Sequence, residues 1–255
     1  MYFHLKNEYK IEESFISDKN PDLILAFKVI KDYSKELIEG LNAMESHHLQ
    51  KTEDKRKENY YIIRDAYNHQ EIDYHEYSPE WMKRATYFIF LNKTCYNGLY
   101  RLNSKGKFNV PFGRYKNPLI CDEYNLEKVQ RSLKNTVINQ GDFNESIKYI
   151  QYGTFVYLDP PYRPLNNTSN FTSYSKEGFN DDSQRKLALF FKKMDTMGAR
   201  IMLSNSDPQN QDEKDTFFDE LYRDYLIERV PAKRNINRDA SKRGLIKELV
   251  VRNYH

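Results

Sequence analysis

The run VYLDPPY, residues 156–162, carries apolar and aromatic residues into a carboxylate, two prolines and a tyrosine. Proline fixes φ and has no backbone donor, so Pro160 and Pro161 end a strand ladder and leave neighbouring carbonyls facing outward. Asp159 with such a carbonyl makes a rigid pair of oxygen acceptors, and Tyr162 adds a flat ring able to stack on a planar group. The pair suits an exocyclic amine. The N6 nitrogen of adenine is a poor nucleophile because its lone pair is delocalised into the ring. Two acceptors taking its protons favour a tetrahedral nitrogen and stabilise the positive charge that grows as it attacks a methyl group. The base must leave the duplex to be reached, and a stacking ring offsets part of the few kcal/mol, roughly, of lost stacking. Read alone, the same four residues also make a strand-terminating turn.

For Asp159 to face a ligand crevice it must stand at the carboxyl end of a parallel strand. The surrounding pattern predicts one, because short apolar runs alternate with amphipathic helical stretches, as in a mainly parallel α/β sheet. Strands are expected at SFISD (14–18), TVINQGDF (136–143), TFVYLDPPY (154–162) and ARIMLSNSD (199–207). Helices are expected at 21–41, with Pro21 in the first turn, at 183–198, ended by Gly198, and at 213–222. Residues 51–68 are too charged for core and predict an exposed helix, and 225–234 and 246–254 alternate like two paired strands.

Charge is unevenly spread. From Trp81 to Cys121 there is no Asp or Glu, while Lys83, Arg84, Lys93, Arg101, Lys105, Lys107, Arg114 and Lys116 all fall inside. This block carries +8 in a chain whose net charge is +3, a field that attracts a polyanion, though a solvated face is the plainer reading. A second basic stretch runs from Arg229 to Arg252. No apolar run approaches the roughly 20 residues that span a bilayer, and the N-terminus lacks the features of a secretory signal, so the expected compartment is the cytoplasm, with no membrane partner. Cys95 and Cys121 are the only cysteines. Their setting supports neither a zinc site nor a disulfide scaffold, and no metal is expected.

DPPY after an apolar strand, preceded by RATYFIFLNKTCYNGLYRLNSKGKFNVPFGRYKNP, resembles the Dam-type DNA adenine N6-methyltransferases, in which a target-recognition insert precedes the catalytic motif. The likeness extends to FISDKNPDLI, QGDF, NFTSYSKEGF, IMLSNSD and NRDASKRGLIKELVVRNY, nearly the whole chain. It implies a Rossmann-like sheet that uses S-adenosylmethionine, formed by residues 1–50 and 133–255, with a mainly helical recognition insert at 51–132. Asp18 would take the ribose hydroxyls of S-adenosylmethionine, and Asp142 would lie near its adenine. Asp159, Pro160, Pro161 and Tyr162 would hold the flipped base, with Asp159 also close to the methionine moiety. In the insert, Tyr96 resembles a wedge into the base stack, Asn97 and Arg101 base-edge readers, and Arg114 a backbone or flanking contact. Lys93, Lys105, Lys107 and Lys116 would meet phosphates. The plainer readings are that Asp18 and Asp142 cap turns and that Tyr96 is a core aromatic.

The resemblance implies a site-specific enzyme acting as a monomer on double-stranded DNA, with a GATC-like target and a possible cognate restriction endonuclease. One family feature is missing. The nine glycines stand seven or more residues apart, so the glycine-rich cofactor turn is absent, and Met1 to Tyr9 resembles the helix that follows it. The expectation is a chain that starts just after that turn, with a fragment that binds DNA without catalysis, or an RNA adenine methyltransferase, as alternatives.

Overall fold

The computed structural model describes residues 1–163, 179–233 and 245–255. Two compact units emerge, Met1–Asp142 and Phe143–His255. Mixed α/β structure is found in both, and no described helix is long and apolar enough to cross a membrane.

The first unit opens with α1 (Tyr2–Glu8), β1 (Ser14–Asp18) and α2 (Pro21–Asp32). Asn20 caps α2 by accepting from the Asp22 and Leu23 amides, and Pro21 occupies the first turn, where its missing N–H costs nothing. The single helix expected over 21–41 is instead two, α2 and α3 (Ser34–Leu49). Tyr33 breaks it at φ −136°, ψ 38°. The Tyr33 amide closes α2 on the Val29 carbonyl, its own carbonyl opens α3 to Leu37, and its ring stacks on Tyr77 at 4.1 Å. The break therefore rests on a tertiary contact that no helical periodicity carries.

Helix α4 (Glu53–His69) forms as expected, but it is not simply exposed. Its stripe Tyr60, Ile63 and Tyr67 spaces by three and four and is buried. Helices α5 (Pro79–Thr94) and α6 (Glu123–Leu133) and strand β2 (Thr136–Gln140) complete the unit. β1 and β2 run parallel, Ser14 opposite Thr136 and Asp18 opposite Gln140. One core joins Leu25, Val29, Leu37 and Leu41 to Tyr60, Phe90, Leu91 and Leu133, all essentially without exposure. Each such side chain stabilises the fold by about 1.5–3 kcal/mol.

His48 lies in that core at 0% exposure, edge-on to Phe90, and neither ring nitrogen has a hydrogen-bond partner among the described residues. Burial, helped by the nearby Arg56 and Lys51 charges, lowers its pKa from 6.5 to about 4. Between those two values the unfolded chain takes up a proton that the folded chain refuses, so stability is full above pH 6.5 and falls as pH drops towards 4. Urea midpoints at pH 7 and pH 5 should show His48→Leu losing about 1–2 kcal/mol less than the parent chain.

The second unit holds β3 (Phe155–Leu158), α7 (Asp181–Thr196), β4 (Arg200–Ser206), α8 (Phe217–Leu221), β5 (Leu226–Lys233) and β6 (Leu245–Arg252). Its sheet order is β3-β4-β6-β5; β3 pairs parallel with β4, and β6 antiparallel with both β4 and β5, the last as expected of the paired C-terminal stretches. Leu187, Phe191 and Met194 of α7 pack on Ile201, Leu203, Leu249 and Val251. Gly198 stops α7 at φ +79°, where an added Cβ would also come within 2.5 Å of the Tyr152 ring. The expected helix over 213–222 shrinks to α8, because Asp212 and Asp215 first tie the preceding loop into turns by accepting from the Lys214 and Phe217 amides. NFTSYSKEGF, apart from Phe179, and NRDASKRG lie outside the described residues.

Candidate active site and nucleic-acid interface

In the second unit, β3 alternates faces, so Tyr157 and Asp159 project the same way from its carboxyl end. Asp159 is exposed. Its Oδ1 accepts from Ser204 Oγ at 3.2 Å, and Ser204 Oγ lies 2.9 Å from the Tyr157 hydroxyl. Since Ser204 has only one proton and gives it to the carboxylate, the Tyr157 hydroxyl donates to Ser204, and a short chain of hydroxyls ends on Asp159. The two prolines differ. The Pro161 carbonyl accepts from Gln184 Nε2 at 3.3 Å, so it does not face outward unclaimed as the sequence suggests. The Pro160 carbonyl has no hydrogen-bond donor among the described residues. Beyond it, Arg163 anchors the loop: its amide donates to Asn205 Oδ1 at 3.0 Å, and its guanidinium pairs with Asp181 and Asp215.

Tyr162 keeps 37% of its surface exposed, and its hydroxyl donates to Glu248 Oε2 at 3.4 Å. Burial of the hydroxyl, together with the Glu248 and Asp159 charges, outweighs the opposing contact with Ser204 and pushes its pKa up to about 12. The ring stays neutral at any working pH. Ser204, Gln184 and Glu248 were not anticipated. The signal for Ser204 was present, since IMLSNSD puts polar residues at the end of a strand, but only the pairing of β3 with β4 shows which of them reaches Asp159.

In the first unit, Asp18 ends β1 and the GDF turn follows β2, with the Gly141 amide donating to the Asp18 carbonyl at 3.1 Å. Asp18 does cap its turn, Oδ1 accepting from the Asn20 amide at 2.7 Å. Burial raises its pKa, and that amide partly opposes the rise. Its Oδ2 has no hydrogen-bond partner among the described residues. Asp142 pairs with Lys19 Nζ at 2.6 Å.

The YNG turn follows α5 directly. Tyr96 is 54% exposed and is therefore not a core aromatic. Asn97 adopts φ 55°, ψ 22°, a left-handed conformation that Asn tolerates, and its amide donates to the Tyr115 hydroxyl at 3.0 Å. The turn is held by an antiparallel arm: Tyr96 N donates to Pro111 O, Gly113 N to Thr94 O and Asn109 N to Arg101 O. Gly113 is required there, because a Cβ would stand 2.6 Å from the Cys95 carbonyl oxygen. Arg101 is exposed and bonds Asn109 Oδ1 through Nε at 2.8 Å. Lys93, Lys105 and Lys116 are exposed, Lys107 Nζ lies 3.1 Å from His69 Nε2, and Arg114, at φ 55°, lies 3.9 Å from Glu53. One cation of the acid-free block is not available to any polyanion. Arg84 is 8% exposed and committed to Asp22. Cys95 and Cys121 are buried free thiols, and burial raises both pKa values to about 11.

Residues 1–236 match the model of the D12 class N6 adenine-specific DNA methyltransferases. The chain belongs to this family. It is 50% identical over 253 residues to the type II methyltransferase M.MjaIII of Methanocaldococcus jannaschii, which covers 99% of this chain and 84% of that protein. It is 38% identical to the type II methyltransferase M1.LlaDCHI of Lactococcus lactis subsp. cremoris, over 95% of this chain and 80% of that one. The DNA adenine methylase of Vibrio cholerae is 35% identical, over 94% and 79%. This D12-class chain is thus an adenine-specific DNA methyltransferase, with DNA as its substrate.

Proposed function

We propose that this D12-class enzyme transfers a methyl group from S-adenosylmethionine to N6 of an adenine flipped out of duplex DNA, at GATC or a closely related site. The observation that carries the reading is the acceptor pair after β3: the Asp159 carboxylate, held by Ser204, and the Pro160 carbonyl, which has no donor among the described residues. These two oxygens accept hydrogen bonds from the two N6 protons and stabilise the charge that develops on nitrogen, one proton leaving after the methyl group is transferred. Tyr162 stacks on the extruded base, and its bond to Glu248 limits ring rotation. Pro161 supports the loop through Gln184.

S-adenosylmethionine supplies an electrophilic methyl group when bound. Asp18 fits its ribose, because one carboxylate oxygen, at the carboxyl end of a parallel strand, has no partner among the described residues. Asp142 and Asp159 complete the residues assigned to it. Tyr96 wedges into the stack, Asn97 and Arg101 read base edges, Arg114 contacts flanking backbone, and Lys93, Lys105, Lys107 and Lys116 meet phosphates. In this reading residues 1–50 and 133–255 are the Rossmann-like catalytic part and 51–132 the recognition insert. The enzyme acts as a monomer in the cytoplasm, paired in function, without need of physical contact, with a cognate restriction endonuclease.

The test is to incubate the chain with methyl-labelled S-adenosylmethionine and matched duplexes of DNA and RNA, with and without GATC. Label in N6-methyladenine of the GATC DNA is expected; label confined to RNA, or none, overturns the proposal. Ser204→Ala should lower kcat about tenfold with the DNA KM little changed, the effect of removing one charge-assisted hydrogen bond of about 1.5 kcal/mol. Single-turnover rates at saturating DNA check it.

A further inference from the structure

Asp22 and Arg84 form the most completely satisfied buried ion pair among the described residues. Asp22 is 5% exposed. Arg84 grips it with two bonds, Nε to Oδ1 at 2.6 Å and an Nη to Oδ2 at 2.9 Å. Tyr67 donates to Oδ2 at 2.6 Å, Tyr74 to Oδ1 at 2.8 Å and Tyr100 to Oδ2 at 3.5 Å. The guanidinium also lies 3.5 Å from the Tyr67 ring centroid and donates to the Tyr67 carbonyl. Burying two charges is costly, and apolar residues of equal volume are commonly as stabilising. What the fork geometry provides instead is one fixed arrangement of α2, α4, α5 and the segment after Cys95.

The ends of this arrangement are significant. On one side, the Asp22 amide donates to Asn20 Oδ1 at 3.0 Å and the Asn20 amide to Asp18 Oδ1 at 2.7 Å, so the network begins at the acid assigned to the cofactor ribose. On the other, α5 runs without interruption from Arg84 to Thr94, directly before the Tyr96 turn, and Tyr100 adjoins Arg101. All of it lies within the first compact unit.

We propose that the Asp22–Arg84 pair is a positioning unit that couples cofactor occupancy at Asp18 to DNA reading by residues 96–101. It rests on the roles proposed above for those two places. Ordering of the Asp18–Asn20 turn by a bound ligand stiffens the start of α2, and the saturated network transmits that order to α5 and the turn, so DNA finds a segment already arranged. By linkage, DNA tightens cofactor binding by the same factor.

The test measures the Kd of a fluorescent GATC duplex by anisotropy, with and without saturating S-adenosylhomocysteine. Three proteins are compared: the parent chain, Arg84→Lys, which keeps the cation but loses the fork, and the apolar set Asp22→Leu, Tyr67→Phe, Tyr74→Phe, Arg84→Met. Circular dichroism melts establish which variants fold. The parent should bind DNA about fivefold or more tightly with the ligand present. A folded variant should bind either ligand alone within about threefold of the parent, with the enhancement reduced below about twofold. Unchanged enhancement in a folded variant, or none in the parent, overturns the coupling. Failure of the parent to bind one ligand alone overturns the role assigned to Asp18 or to 96–101, a result the single titrations distinguish. Should both variants unfold, amide hydrogen exchange of the parent decides: S-adenosylhomocysteine without DNA must slow exchange at 95–101, and no slowing overturns the proposal.

Discussion

Asp159→Ala is expected to remove methyl transfer almost entirely, by about 10³-fold or more in kcat, while DNA binding stays within a few-fold of the parent. Asp159 is exposed at the end of β3, so its loss leaves no buried hole and no orphaned core charge; only the Ser204 hydroxyl loses an acceptor, and it can turn to water. The deficit therefore belongs to the reacting nitrogen. On the proposed geometry, loss of the carboxylate leaves the Pro160 carbonyl alone to face the amine, and the second proton is left to solvent. Asp159→Asn is the sharper variant. It keeps the size and one acceptor but removes the negative charge, and it should recover no more than a small part of the rate. Rapid-quench single turnovers on a duplex with one target adenine, paired with anisotropy titration of the same duplex, separate a lost chemical step from lost binding. Equal losses in both would mean that Asp159 acts in binding.

The second large effect is on stability. Arg84→Ala should cost about 3–5 kcal/mol, because it leaves the buried Asp22 carboxylate without its cation, and three tyrosine hydroxyls do not neutralise a charge. Burial opposes the charge on Arg84, but the Asp22 hydrogen bonds more than offset this and its pKa is raised. Tyr67 and Tyr74 are pushed upward, first by burial and then by the Asp22 charge, so both remain donors. The melting temperature should fall by roughly 10 °C or more. Lys105→Ala, in the same acid-free block but exposed, should leave it within about a degree. Thermal melts of the two variants side by side check the contrast.

Much of this protein follows from local residue order. The strands at 14–18, 136–140, 155–158 and 200–206 and the helix ended by Gly198 are set by apolar period, a capping asparagine and a left-handed glycine, interactions that span at most a few residues. The same holds for the chemistry of DPPY, whose prolines dictate where a ladder stops whatever surrounds them. Other properties depend on residues far apart in the chain. Tyr33 divides one helical pattern in two because Tyr77 stacks on it, forty-four positions away. Arg84 counts among eight cations in a basic block, yet it lies in the core because Asp22, sixty-two positions earlier, receives it. Ser204 reaches Asp159 because β3 and β4 pair in parallel, and Gln184 of α7 claims the Pro161 carbonyl, while that of Pro160 has no donor among the described residues. Side-chain type and short-range spacing thus determined most of the elements and the placing of Asp159 at a strand end. Which charge is buried, that Gln184 takes the Pro161 carbonyl and which hydroxyl supports the carboxylate were decided by packing, since burial and long-range hydrogen bonds exist only once the chain has folded.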